Sequence, residues 1–278
     1  MFMDEELARR LERVEAAIGT SFVEVRQRVT PNVGAAWHDF DGTYAMFDGA
    51  TSPMTQTFGL GMFAAATPEL LDAIEAFFRE RGADPMHEVS PLAGVETHAL
   101  LAQRGYRPIE LSTVLVQPLA ELREPAPVAG LSVRVITDAD NAAWVDTAVL
   151  GWATDPVFAQ VIRELSEVVV QNRAMTNFVV ERDGLPIATG SLGVHEGVAL
   201  VAGASTVPTG RGLGAQGMLL AARLAEGRRR GCDVALMLTN PGSTSQRNAE
   251  RRGFRVAYTR TKWRLFSGGA DADQPAPA

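Results

Sequence analysis

At 278 residues the chain exceeds the usual span of one domain, and its 46% apolar, 21% charged composition is that of a globular protein with two cores. No apolar run approaches the roughly 20 residues that span a bilayer, so no membrane partner is expected. A single cysteine, Cys232, excludes an internal disulfide, and four scattered histidines offer no zinc-type ligand cluster, so no metal is expected. The net charge of -7 is uneven: residues 1–125 carry 10 Arg against 19 Asp and Glu, net -9, whereas residues 126–278 carry 16 basic against 14 acidic residues, net +2. An acidic first half argues against a nucleic-acid partner, and a mildly basic second half suits an anionic small ligand.

The opening MFMDEELARRLERVEAAIG has a helical period, an acidic start and none of the apolar stretch of a secretory signal, which predicts a cytoplasmic protein. Pro68 to Arg81 reads as an amphipathic helix closed by Gly82, followed by strand, loop, helix, turn and strand. Glu121 to Gly130, ELREPAPVAG, contains two prolines that break regular structure, which places a linker and a domain boundary at 125/126. Leu131 to Ile136 then alternates as a strand, and helical segments run through Ala142 to Gln171, with Asp138 and Asp140 suited to a helix start. Asn177 to Glu181 and Leu185 to Val194 form a hairpin about Arg182-Asp183-Gly184, and a second turn at Glu196-Gly197 leads into Val198 to Val207. That last stretch, VALVAGASTV, is the most apolar strand and belongs in the middle of a sheet. Ala215 to Arg230 is a helix, Asp233 to Thr239 a strand, and the segment from Ser267, SGGADADQPAPA, lacks large apolar residues and reads as a disordered tail.

A repeat is visible at an offset of about 149 residues. Arg81-Gly82 answers Arg230-Gly231, and Arg104-Gly105-Tyr106 answers Arg252-Gly253-Phe254, so each half holds helix, strand, loop, helix, Gly-aromatic turn and strand.

Between the apolar strand and its helix lies Pro208-Thr209-Gly210-Arg211-Gly212-Leu213-Gly214-Ala215-Gln216. A strand, a glycine-rich turn and a helix amino terminus together make an anion site, because backbone N–H groups converge where the helix dipole is positive. Glycines at a helix start also serve turns and close packing alone.

Arg211-Gly-Leu-Gly214-Ala-Gln216 resembles the pyrophosphate loop of the GNAT acyltransferases, which has Gln or Arg, two residues, Gly, one residue, then Gly or Ala. It departs from that pattern at its last position, Gln216. The lead-in Ser205-Thr206-Val207-Pro208 and the downstream strand, Asn240, helix and Arg-Gly-Phe turn also resemble the family in order. The resemblance implies an α/β (α+β) protein of two GNAT-like domains, with mixed, splayed central sheets flanked by helices. A degenerate domain, 1–125, would lack a phosphate loop, since Gly59-Leu-Gly61-Met-Phe-Ala-Ala-Ala-Thr-Pro stands in its place, and 126–266 would bind the acyl-CoA.

By the same resemblance, the co-substrate is acetyl-CoA or another acyl-CoA. Backbone groups of Ser205, Thr206 and Val207 would meet the pantetheine arm. The N–H groups of Arg211, Gly212, Leu213, Gly214, Ala215 and Gln216 would hold the pyrophosphate, and Asn240, Ser245 and Asn248 would face the arm's far side, although Ser243, Thr244 and Ser245 also sit where a helix cap is needed. The reaction implied is attack by a neutral amine on the thioester, with a strand amide stabilising the developing oxyanion and an acid protonating the thiolate. The family's tyrosine acid falls at Ala249. Ser245 and Asp155 are the remaining catalytic candidates, with Tyr258 nearby in sequence, and Trp152, Asp155 and Phe158 are the substrate-side candidates. Asp155 precedes Pro156 and equally suits a helix cap. His195 and Glu196 belong to a hairpin turn at the wrong end of the strand. In the first half His87, Glu88, Glu96 and His98 are polar residues that could line a cleft. The function expected is acyl transfer to a small amine, amino acid or peptide amine by a monomer or homodimer; the alternative is a catalytically inactive CoA-binding or interaction module.

Overall fold

The computed structural model describes residues 3–122, 128–153 and 155–266. The core of the expected linker and the expected tail from Ser267 lie outside the described residues. In chain order the elements are α1 (Glu5–Val29), β1 (Ala36–Phe40), β2 (Thr43–Phe47), β3 (Gln56–Phe58), α2 (Pro68–Arg79), β4 (Met86–Val89), α3 (Val95–Gln103) and β5 (Arg107–Pro118). The second half continues with β6 (Leu131–Val135), α4 (Asn141–Trp152), α5 (Pro156–Val169), β7 (Met175–Arg182), β8 (Leu185–His195) and β9 (Val198–Thr206). It ends with α6 (Ala215–Arg229), β10 (Val234–Thr239), α7 (Thr244–Glu250) and β11 (Arg255–Arg264). Among the described residues no helix is long and apolar enough to cross a membrane.

The expected duplication is present. The succession strand, helix, strand, helix, strand occurs as β3-α2-β4-α3-β5 and again as β9-α6-β10-α7-β11. In both copies the first two strands are parallel, with Thr57 opposite His87 in one and Val198 opposite Val234 in the other.

Packing does not follow the boundary expected at 125/126. One compact unit joins the chain up to Leu115 with the chain from Leu238 onward, and the other is Val116–Met237. In the first unit the strand order is β1-β2-β3-β4-β11-β5, so the last strand of the second half is built into the sheet of the first. β11 runs antiparallel to β4, with Thr261 opposite Val89 and Arg264 opposite Met86. A buried ionic cluster joins β11 to α1 and β4. Arg260, 1% exposed, reaches Glu12 at 3.3 Å and Glu15, both on α1, and Glu88 of β4 at 3.5 Å, while Tyr258 donates to Glu12 at 2.8 Å. α1 is started by Asp4, whose carboxylate accepts from Leu7 N–H at 2.8 Å, and it buries Leu11, Val14 and Val23.

This cluster makes the fold pH-sensitive. Burial pushes the Glu15 carboxyl up to about 7 from its ordinary 4.5, against the opposing pull of Arg260. Between those values the folded chain holds a proton that the unfolded chain releases. The group's stabilisation is therefore complete below about 4.5 and lost as pH rises through about 7. Buried His87, whose pKa is lowered to about 3, adds an opposite slope below about 6.5, so the prediction is a difference: from pH 5 to pH 8 the wild type is expected to lose more melting temperature than Glu15→Gln, and equal slopes would assign the dependence elsewhere.

The second unit has strand order β10-β9-β8-β7-β6, antiparallel from β6 through β9 and parallel between β9 and β10. The expected hairpins form on Asp183-Gly184 and Glu196-Gly197, all four residues at positive φ, the two-residue turn whose twist matches the strands. As its apolarity predicts, β9 is central, and its first four residues, Val198 to Val201, are buried.

Candidate functional site

The site is built on β9 and on the loop and helix that come after it in the chain. Against β8, β9 pairs regularly until Ser191 faces Ala202; the next pair is Thr189 with Ser205, so Gly203 and Ala204 together oppose Gly190. This is a β-bulge, which leaves backbone groups unpaired and bends the strand. Gly203 sits at φ +60, a left-handed conformation that favours glycine, and it is exposed in the middle of a strand buried at both ends. On the other edge, β9 and β10 pair only from Val198–Val234 to Leu200–Leu236. Their pairing ends at Leu200, in the region where the resemblance implies a splay.

Past Thr206 the chain makes a single turn over Pro208–Gly210 and enters α6 through Gly212 at φ +74 and Gly214 at φ +87. Gly214 occupies the cap position of α6 with no side-chain cap bond. Among the described residues, the N–H groups of Gly212, Leu213, Gly214, Ala215 and Gln216 meet no acceptor. Five donors at the positive end of a 15-residue helix suit a pyrophosphate. The N–H of Arg211 is occupied, donating to Pro208 O at 3.3 Å, so the free set begins one residue later than the sequence suggests. The Arg211 side chain lies back on the strand end, within 3.4 Å of Thr206 O and Gly151 O. Gln216, the departure from the family pattern, ties the loop to β9 by donating to Thr206 Oγ1 at 2.6 Å.

The lead-in residues are less available than expected. Val207 N–H donates to Ile187 O at 3.0 Å, and Ser205 Oγ lies 3.0 Å from Thr189 Oγ1. Ser205, Thr206 and Val207 are all buried, and the less buried residues of the strand are Ala202, Gly203 and Ala204. Sequence reading missed Gly203 and Gly190, although a glycine inside a strand pattern is itself a bulge signal.

At the end of α4, Gly151 packs so closely on β9 that a Cβ there would come within 2.6 Å of Ser205 Oγ. Trp152 and Phe158 are 45% and 38% exposed, so neither is a core residue. Asp155 caps α5, its carboxylate accepting from Phe158 N–H at 2.9 Å. A cavity of about 620 Å³ lies elsewhere, between the start of α4 and the end of α5, and Arg163–Asp146 and Arg173–Asp138 pairs, each at 2.9 Å, line it.

Asn240, Ser245 and Asn248 belong to the first unit and are exposed. The cap of α7 is Ser243, whose Oγ accepts from Gln246 N–H at 3.1 Å, which leaves Ser245 clear of capping. Ala249, at the usual tyrosine position, is 1% exposed, and its carbonyl accepts from Phe254 N–H at 3.2 Å. Tyr258 is no substitute acid: it lies buried on β11 against Glu12, and burial holds its hydroxyl well above the ordinary range. His195 and Glu196 sit at the hairpin before β9, at the far end from the loop.

The corresponding loop of the first half is closed. Thr67 caps α2, accepting from Leu70 N–H at 3.2 Å, and Pro68 removes the first helical donor. A Cβ at Gly61 would meet Thr97 Oγ1 at 2.5 Å, and Phe63 is covered by the Arg13 guanidinium 3.8 Å from its ring centre. His87 and Glu88 line no cleft. His87 is fully buried between Thr57, 2.7 Å from its Nδ1, and Tyr106, 3.1 Å from its Nε2, and burial lowers its pKa to about 3. His98 packs against Trp263, ring centres 5.9 Å apart.

Two copies of the strand-helix-strand-helix-strand succession, one with a bulged, splayed strand running into a glycine-rich helix start, make this the GNAT fold in tandem form. No protein-family model and no curated protein matches the chain. Among solved structures, it is similar to a GCN5-related N-acetyltransferase from Kribbella flavida, with TM-score 0.65 and 19% identity over 92% of this chain and 97% of that one. A tandem GNAT protein from the clavulanic acid biosynthesis pathway gives TM-score 0.59 and 16% identity over 82% of this chain and 79% of that one. A GCN5-related N-acetyltransferase from Sphaerobacter thermophilus gives 0.55 and 17%, over 71% and 66%.

Proposed function

We propose that the protein is an acyl-CoA-dependent N-acyltransferase, with acetyl-CoA the expected donor and a small amine, amino acid or peptide amine the acceptor. The observation that carries this reading is the uncapped start of α6, where the N–H groups of Gly212 to Gln216 meet no acceptor among the described residues, directly after a bulged strand whose pairing with β10 ends early. The first half, with its capped helix start, is proposed not to bind CoA. The net charge of -9 over residues 1–125 favours a cationic acceptor.

An acyl-CoA supplies an activated thioester carbonyl. The loop donors are proposed to hold its phosphates, and the amides at the Gly203–Ala204 bulge, the least buried part of β9, are proposed as strand donors to the carbonyl oxygen as negative charge develops on it. Trp152 and Phe158 offer exposed aromatic surface to an acceptor. Asp155 is the proposed group for proton handling.

Calorimetric titration of acetyl-CoA into the whole chain, followed by thiol release with a panel of amines, tests the proposal. Micromolar binding with amine-dependent thiol release is expected. Binding without release would make the chain an inactive CoA-binding module, and no binding would remove the loop assignment. Asp155→Asn, run in the same assay, keeps the cap and removes the charge; undiminished turnover would leave Asp155 with the cap alone.

A further inference from the structure

Arg223, on α6, is 2% exposed and has no carboxylate partner among the described residues. Its bonds all go to backbone carbonyls: Nε to Leu219 O at 3.2 Å, and Nη1 to both Ser191 O at 3.3 Å and Ala202 O at 3.1 Å. Ser191 and Ala202 are the last regular pair before the bulge at Gly203–Ala204. The guanidinium also lies over Gly190, the single residue facing that bulge, where a Cβ would meet Arg223 Cζ at 3.1 Å and Leu219 at 3.0 Å. A helix position facing a sheet ordinarily carries an apolar side chain, and a buried cation without a counter-ion is kept only where its donors are used. Burial lowers its pKa to about 10, so it stays charged at neutral pH.

We propose that Arg223 is a positioning residue for acyl transfer: its guanidinium clamps the Ser191 and Ala202 carbonyls, fixes the bulge, and so sets the direction and acidity of the strand amides offered to the thioester oxygen. A cation on the Ala202 carbonyl withdraws electron density from the peptide group that ends in the Gly203 N–H, making that N–H a stronger donor. The clamp acts through the backbone, and nothing in it touches the phosphate loop. It therefore affects the chemical step more than CoA binding. This inference rests on the acyltransferase reading for its rate effect and on geometry alone for its structural effect.

The test uses the full chain with Arg223→Met and Arg223→Lys, measuring kcat, KM for acetyl-CoA, calorimetric CoA affinity and the amide resonances of Gly203 and Ala204. Arg223→Met is expected to lower kcat roughly tenfold or more, with CoA affinity within about threefold of the wild type, and to shift both amide resonances. Arg223→Lys, which keeps the charge and can reach one carbonyl, should recover part of both effects. A kcat within twofold of the wild type, unshifted amides, or a fall in CoA affinity parallel to that in kcat would overturn the assignment. Should the wild type transfer no acyl group, the acyltransferase reading fails, and the amide shifts alone then decide whether Arg223 holds the bulge.

Discussion

Gly214→Trp is expected to weaken acetyl-CoA binding by roughly 100-fold or more, with the fold retained. The indole would be attached in the middle of the donor run Gly212 to Gln216, where its bulk competes with a phosphate for charge-assisted bonds that contribute about 1.5–3 kcal/mol each. The φ of +87 adds strain of about 1–2 kcal/mol for any side chain, so a melting temperature a few degrees lower is expected as well. Gly214→Ala separates the two effects: it carries the same strain with little bulk, and the nearest atom to its Cβ, on Val128, is a comfortable 3.5 Å away. Weak binding in the tryptophan variant with near-normal binding in the alanine variant identifies an occupied cradle. Equal losses in both would mean that strain, and not occupancy, is being measured, and normal binding in both would move the phosphate site elsewhere.

Arg260→Met carries the largest expected effect on stability, a loss of about 3–5 kcal/mol in denaturant unfolding. The substitution removes the cation that reaches Glu12, Glu15 and Glu88 together, leaving three carboxylates in a site where Arg260 itself is 1% exposed. Adding Glu12→Gln and Glu15→Gln to the methionine variant should restore part of the loss, since neutral amides are less costly to bury than charges without a partner. A loss below about 1 kcal/mol for Arg260→Met would show that the carboxylates discharge by taking up protons and that the cluster does not hold β11 in place.

Local patterns carried most of the fold into the sequence. The hairpins at Asp183-Gly184 and Glu196-Gly197, the buried start of β9 and the helix after Gly214 all depend on residues within a few positions of one another, and they stand where alternation and turn chemistry put them. The loop was legible for the same reason: its donors are consecutive. What stayed hidden depends on distant partners. β11 lies beside β4 and carries Arg260, which meets Glu12 248 positions away, and no periodicity records that meeting. The bulge was half-visible in Gly190 and Gly203, yet its register needs both strands at once. Arg223 looks in sequence like one more surface arginine beside Arg228 and Arg229, and only the structure shows it buried among carbonyls. Tyr258 and His87 are the reverse case: reactive side chains in sequence that the fold occupies with internal bonds.

The insertion of β11 between β4 and β5 also fixes an order of events during synthesis. Residues up to Leu115 leave the ribosome with a gap in their sheet and with Glu12, Glu15 and Glu88 unneutralised, and the strand that fills the gap is made some 140 residues later. At about 5–20 residues per second the nascent first unit waits on the order of ten seconds or more before it can close. Val116–Met237 is one continuous stretch, and all of it is made before that strand. A stop codon late in the message would therefore spare the glycine-rich loop and damage the amino-terminal sheet.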